Sequence, residues 1–161
     1  MSEIDQKLLE HFRNPRNVGI IENADGYARV ENPVNGYTTD MYLQIENGQI
    51  RDIKFKTLGC TVTIASASAL TDIVKGKTLG EVVNSSDSFN KLLELLQGEL
   101  GDIPEKNWHC PPTAIQTLLI AICEYYRKNS DEKTVKKIEK TINEIEYYFE
   151  KKLDQMDKIY D

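Results

Sequence analysis

The sequence predicts an α+β fold, in which a small three-stranded antiparallel sheet packs against helices and a charged amphipathic helix follows at the C-terminal end. Three observations predict it. Apolar and polar residues alternate on both sides of Asn47-Gly48, apolar residues recur at spacings of three and four in other segments, and charged residues dominate after Asn129. The 161 residues are enough to bury a hydrophobic core without disulfides.

The N-terminal segment predicts a short helix over residues 5–12. Leu8, Leu9 and Phe12 follow helical spacing, and we expect the helix to stop at Asn14 because a residue before proline is pushed out of the α region. We expect His11, which has no cysteine or second histidine near it in the sequence, to fix the turn after this helix.

The next segment predicts the sheet. Apolar and polar side chains alternate over residues 41–45 and again over residues 52–56, which is typical of strands with one face exposed to water. Asn47-Gly48 between them suits the two positive-φ positions of a tight hairpin. Residues 27–31 are expected to add the third strand.

Four further helices are predicted before residue 129. The first three are expected over residues 64–74, 78–83 and 88–96, with Gly76 after the first and Gly98 closing the third. The fourth is expected to begin at Pro111-Pro112, because proline suits the first turn of a helix. Its apolar stripe should face the core and contains Ile115, Leu118, Leu119, Ile122 and Tyr126.

Beyond Asn129 the chain becomes rich in lysine and acidic residues. We place a domain boundary here, with a core domain over residues 1–128 and a charged helical extension over residues 129–161. Val135, Ile138, Ile142, Ile145 and Phe149 form an apolar seam on this helix, and we expect that seam to offer a dimer contact for a second copy of the chain.

Composition excludes several classes of partner. A net charge of −6 argues against a nucleic-acid surface. The apolar stretches are short, and the first residues carry acids without an apolar core, so we expect neither a membrane span nor a signal peptide. We expect a cytoplasmic protein, in which an odd number of cysteines suits thiol chemistry or metal ligation better than disulfides.

Cys60, His109 and Cys110 are the candidate site residues. Thiolates and imidazole are suitable ligands for iron or zinc. Each cysteine precedes a predicted helix, whose positive end lowers a thiol pKa, so both are candidate reactive thiolates. Spacing alone leaves inert packing cysteines as an equal alternative. Cys123, inside an apolar helix, is expected to be such a small hydrophobe.

Five segments form an ordered series: HFRNPRNVG at residues 11–19, ENPVNG at 31–36, FKTLGCTVTIASAS at 55–68, VKGKTL at 74–79 and HC at 109–110. This series resembles the NifU/IscU family of iron–sulfur cluster assembly scaffolds, and the resemblance extends over about residues 5–128 but not over the tail. It implies an α+β domain, in agreement with the elements derived above.

The resemblance implies a cluster site in which Cys60, His109 and Cys110 match family ligands. In the family the first ligand lies in Asn-Pro-x-Cys-Gly-Asp, whereas here Asn35 and Tyr37 stand at the cysteine and aspartate positions. A neutral carboxamide and an un-ionised phenol are poor donors to iron. An ordinary four-ligand site within one subunit is therefore not expected.

Asp40 is the nearest carboxylate to the altered motif. It lies three residues beyond the aspartate position, and side chains alternate faces along a strand, so we expect Asp40 to point to the other face. The run Ile103 to Asn107, where some members of the family carry a proline-rich chaperone-docking motif, is altered as well.

The leading hypothesis is a non-enzymatic scaffold that binds a [2Fe–2S] cluster. By the family's mechanism a cysteine desulfurase would deliver a persulfide to Cys110, and missing ligands would come from a second subunit, a thiol cofactor or a partner. Two alternatives stay open. One is a paralogue that binds zinc or relays persulfide sulfur, and the other is an interaction module without metal chemistry. No paired acid and base or phosphate loop indicates an independent enzyme.

Overall fold

The computed structural model describes residues 5–83 and 86–160, and this part of the chain forms three strands and six α-helices. In chain order they are α1 (Gln6–Arg13), β1 (Gly26–Glu31), β2 (Thr38–Glu46), β3 (Gln49–Thr57), α2 (Thr61–Val74), α3 (Leu79–Val83), α4 (Ser88–Leu100), α5 (Cys110–Lys128) and α6 (Glu132–Tyr160). A short 3₁₀ turn, Glu105–Asn107, precedes α5. The predicted α+β class is confirmed.

The sheet is an antiparallel meander in the order β1-β2-β3. Asn47 and Gly48 join β2 to β3 with φ values of +52° and +73°, so the predicted hairpin turn is confirmed. One face buries apolar side chains and faces the helices, while the other face carries polar residues. The buried set consists of Ala28, Val30, Met41, Leu43, Ile50, Ile53 and Phe55.

Helices α2 and α5 lie against the sheet and against each other, and α1, α4 and α6 pack on that pair. Helix α2 is built largely from alanine and serine, and it is buried on nearly every side, as expected of a helix without a polar face. The predicted stripe of α5 is confirmed at Ile115, Leu118, Leu119 and Ile122, which are all buried, and Tyr126 is partly buried.

Two sequence predictions about the helices were wrong. Helix α4 does not end at Gly98 but continues to Leu100, and Gly101 takes the C-terminal position with a φ of +73°. Nothing at Gly98 requires glycine, because a Cβ atom there would meet open space. Helix α2 begins three residues earlier than predicted, at Thr61.

The apolar seam of α6 is not free for a second copy of the chain. Val135, Ile138, Ile145 and Phe149 are buried within the same chain, and α6 packs mainly on α5. The expected dimer contact through this seam is therefore corrected: the seam closes the chain's own core. No helix in the described part of the chain combines the length and apolar character needed to cross a membrane.

His11 takes the structural role expected from the sequence. Its buried ring lies with Nδ1 2.9 Å from Ser68 Oγ and Nε2 3.0 Å from Glu99 Oε1. Arg16, in the segment after α1, also contacts the ring, and its backbone N–H donates to Ser68. The ring thus ties α1 and the following turn to α2 and α4.

Gly26 and Gly98 provide a matched test of the packing between β1 and α5. A Cβ atom at Gly26 would overlap the backbone carbonyl of Ala121 on α5, whereas one at Gly98 would be unobstructed. We expect Gly26→Ala to lower the free energy of unfolding by about 1–3 kcal/mol through overpacking. Gly98→Ala should raise it by up to about 1 kcal/mol, because alanine favours a helix interior.

Urea denaturation of both variants and of the wild type measures these differences. If Gly26→Ala unfolded within about 0.5 kcal/mol of the wild type, the close contact between β1 and α5 would be contradicted.

Candidate cysteine and histidine site

Two cysteines that are distant in sequence meet at adjacent helix starts. Cys60 is the N-terminal cap residue of α2, and Cys110 is the first residue of α5. The hydroxyl of Thr63, in the first turn of α2, lies 3.4 Å from the Sγ atom of Cys60 and 3.5 Å from the Sγ atom of Cys110. Both thiols are free, and the hydroxyl of Thr63 lies between them.

His109 lies beside this pair. Its Nδ1 atom is 3.7 Å from the Sγ atom of Cys110 and accepts a hydrogen bond from the side-chain amide of Asn32, at 2.8 Å. Burial lowers the pKa of His109, and the backbone of Lys106 offsets this only in part. The imidazole is therefore held neutral and buried.

The structure brings the three predicted site residues together without forming a finished metal site. Within residues 5–83 and 86–160, no group of three or more histidine, cysteine or acidic side chains is arranged to hold a metal ion. The hydrogen bond from Asn32 also occupies Nδ1 of His109. That atom can bind a metal only after the bond is given up.

The two thiols differ in their readiness to ionise. Burial raises the pKa of Cys60, but the hydroxyl of Thr63 and the backbone N–H groups of Thr63 and Val62 at the start of α2 favour the thiolate and outweigh burial, so the net pKa is lowered. This agrees with the pKa predicted for a thiol at a helix start. Burial instead raises the pKa of Cys110 to about 12. Burial thus works against the predicted thiolate at Cys110, whose reactivity stays a prediction.

Exposure follows the same order as ionisation. Cys60 is partly exposed, whereas Cys110 is only 1% exposed. Pro111 and Pro112 are buried in the first turn of α5, where proline was predicted. Cys123 is buried in α5 as expected, and burial raises the pKa of its thiol.

The altered positions lie in the loop before β2. Asn35 is exposed and its side chain accepts a hydrogen bond from the backbone N–H of Tyr37, which is also exposed. Three residues earlier, Asn32 bonds His109, so this loop is attached to the site through Asn32. The sequence reasoning missed Asn32, Thr63 and Asn107, whose side-chain amide donates to Cys60 at 3.9 Å.

Asp40 is committed to other partners. Its carboxylate accepts hydrogen bonds from the guanidinium of Arg29, at 2.7 Å and 3.1 Å, and from the hydroxyl of Tyr27. The bonds from Arg29 lower the pKa of Asp40 despite its burial. The expectation that Asp40 points away from the cysteines agrees with these contacts.

Comparison with known proteins identifies what the chain is similar to. The family model described as "NifU-like N terminal domain" matches residues 3–132. The iron-sulfur cluster assembly scaffold protein IscU 1 of Archaeoglobus fulgidus is 40% identical over 152 residues, which cover 94% of this chain and 90% of that protein. The scaffold protein IscU of Aquifex aeolicus is 37% identical over 138 residues, covering 84% of each.

A solved structure shares the fold. The N-terminal part of a NifU-like protein from Brucella abortus superposes with a TM-score of 0.61 and 22% identity, over 77% of this chain and 94% of that chain.

Thr63 provides a test of the thiol environment. Thr63→Val keeps the shape of the side chain but removes the hydroxyl that lowers the pKa of Cys60. The pKa of Cys60 should rise, so the pH profile of its alkylation should move to higher pH and labelling at neutral pH should slow. Iodoacetamide labelling followed by peptide mass spectrometry measures this for Cys60 alone.

Thr117→Val is the matched control, because Thr117 is a buried threonine on α5 whose hydroxyl donates to the backbone of Thr113. It should leave the profile of Cys60 unchanged. A Cys60 profile that stayed in place in Thr63→Val would contradict the assigned role of the hydroxyl.

Proposed function

The chain belongs to the family of NifU-like N-terminal domains, and on this premise we propose that it is a scaffold on which iron–sulfur clusters are assembled. The observation that carries the proposal is the meeting of Cys60 and Cys110 around Thr63, with His109 beside them. Soft thiolates at two helix starts suit iron and sulfide as cargo. The role is that of a non-enzymatic scaffold, which holds the cluster and passes it on.

The ligand set that we propose has two thiolates and one imidazole from this chain. Cys60 and Cys110 would bind iron directly, and His109 would join after releasing Asn32 or through its other ring nitrogen. Asn35 and Tyr37 offer only weak donors. We infer that a fourth ligand comes from outside the chain, and we propose a [2Fe–2S] cluster as the cargo, which takes four terminal ligands in all.

The edge of the site favours contact with another protein. Leu58, two residues before Cys60, is 83% exposed, and Val34 and Tyr37 in the loop after Asn32 are exposed as well. The pairing of Thr39 with Thr57 brings Tyr37 and Leu58 to the same end of the sheet, and exposed apolar side chains grouped in this way are typical of interaction surfaces. We propose that a cysteine desulfurase, as the sulfur donor, docks on this edge and leaves Cys60 facing it.

We propose that sulfur arrives first at Cys60 rather than at Cys110, the acceptor expected from the resemblance. Cys60 is the more exposed thiol and the one with the lowered pKa. Its thiolate would attack the outer sulfur of the donor's persulfide. The donor's sulfur–sulfur bond breaks, the donor cysteine leaves as a thiolate, and Cys60 keeps the transferred sulfur as a persulfide.

A second candidate function is persulfide relay without a stable cluster. The absence of a three-ligand metal group among the described residues favours it, because relay needs only an accessible thiolate. Zinc bound by Cys60, His109 and Cys110 is a separate alternative, which needs the same three ligands as the scaffold.

Anaerobic reconstitution with iron and sulfide tests the scaffold. We expect the wild type to retain iron and acid-labile sulfide, and Cys60→Ser and Cys110→Ser to lose at least about tenfold of both, because each removes a thiolate ligand. Cys123→Ser is the control and should behave as the wild type, since Cys123 lies in the core of α5. A wild type without iron and sulfide, but with a persulfide on Cys60, would contradict the scaffold and support relay.

Restoring the family's ligands provides a gain-of-function test. The double variant Asn35→Cys with Tyr37→Asp should retain more iron and sulfide than the wild type and hold it longer against a chelator, because it supplies the missing donors. The variant Gln97→Cys, on α4, is the control for an added thiol. If the wild type and the double variant retained equal amounts of iron and sulfide, the inference that this chain lacks a cluster ligand would be contradicted.

A further inference from the structure

Trp108 connects the last helix to the candidate site. Its indole N–H donates to the Sδ atom of Met156 on α6, at 3.2 Å, and its ring lies against Phe149, with centroids 5.6 Å apart. On its other side the ring meets His109 edge to face, at 5.6 Å and 89°. One side chain therefore contacts both α6 and the imidazole next to Cys110.

The turn that precedes Trp108 supplies other contacts to the site. It covers Glu105–Asn107, and the backbone N–H of Trp108 closes it by donating to Glu105. Asn107 donates to the Sγ atom of Cys60, and Trp108, which directly follows the turn, contacts the ring of His109. Any movement of this turn would change contacts to both residues.

These contacts come from the part of the chain beyond the residues that the family model matches. The match ends at residue 132, whereas Phe149 and Met156 lie well inside α6. Tyr148 adds a further ring contact to Trp108, at 6.1 Å, and also packs on Phe89 of α4. Aromatic contacts of this kind contribute beyond area burial, and a partly buried indole N–H requires an acceptor, which Met156 provides.

We propose that Trp108 is a positioning residue: α6 holds it through Phe149 and Met156, and it keeps the 105–109 segment closed over Cys110. If this contact is weakened, Cys110 becomes exposed and His109 is released. Helix α6 would then control the access of reagents and partners to the site. The inference deepens the proposed function, on which its biological meaning rests. Its test needs only the apo protein.

The test compares the alkylation rates of the three cysteines in one protein. Peptide mass spectrometry after timed iodoacetamide labelling gives a separate rate for each. In Trp108→Ala and Met156→Ala, we expect the alkylation rate at Cys110 to rise by about tenfold. A tenfold change corresponds to about 1.4 kcal/mol, which is the size of one or two lost aromatic or sulfur–aromatic contacts. The rate at Cys123 should stay at its wild-type value, because this thiol is buried in the middle of α5.

Two further variants separate positioning from general stability. Trp108→Phe keeps an aromatic ring and should return most of the protection of Cys110. Tyr147→Ala removes an exposed ring from the same helix, 58% exposed and next to Tyr148, and should leave every rate unchanged.

Two results would overturn the proposal. In one, Cys110 keeps its wild-type rate in both Trp108→Ala and Met156→Ala. In the other, Cys110 and Cys123 accelerate together, which indicates general loosening of the fold. If Trp108→Ala did not fold, Met156→Ala would decide, since Met156 lies near the end of α6. Because no iron is present, the result is independent of the reconstitution experiment.

Discussion

The packing of α2 against α5 is the constraint on which the rest of the structure depends. Helix α2 carries alanine and serine from Ala65 to Ala69, all buried, and these small side chains allow neighbouring elements to approach closely. Because the two helices lie together with their first turns side by side, Cys60 and Cys110 share the hydroxyl of Thr63. The site is thus a consequence of how two helix starts meet.

The same packing gives the two thiols opposite properties. Cys60 precedes the first turn of α2 and is partly exposed, and the N–H groups of that turn and the hydroxyl of Thr63 favour its thiolate. Cys110 begins α5 beneath the turn that contains Asn107, and burial disfavours its charged form. The deeper burial of Cys110 favours its neutral thiol, whereas the surroundings of Cys60 favour the thiolate, and neither helix start alone would produce this difference.

Helix α6 extends the core beyond the matched family domain. Its seam covers α5, and its later turns contact Trp108 beside the site. A free amphipathic helix with the same sequence would be a docking element, but here its apolar residues already have partners within the chain. Helix α6 therefore lies where it can influence how far the segment before α5 covers Cys110.

The sequence by itself determined the class of fold, the hairpin at Asn47-Gly48 and most of the helices, because these depend on local periodicity and turn chemistry. It also indicated Cys60, His109 and Cys110, since the motifs that contain them are local. Gly98 was misjudged as a helix end because glycine terminates a helix only where φ is positive, and that condition holds at Gly101.

Only the tertiary structure decided what surrounds these residues. Asn32 lies 77 positions from His109 in the sequence, and no local pattern pairs them. The partners of Asp40, the intramolecular use of the α6 seam and the raised pKa of Cys110 likewise depend on burial by distant segments. Periodicity reveals that a helix or strand has an apolar face to bury, but which residues bury it is decided by the packing of the whole chain.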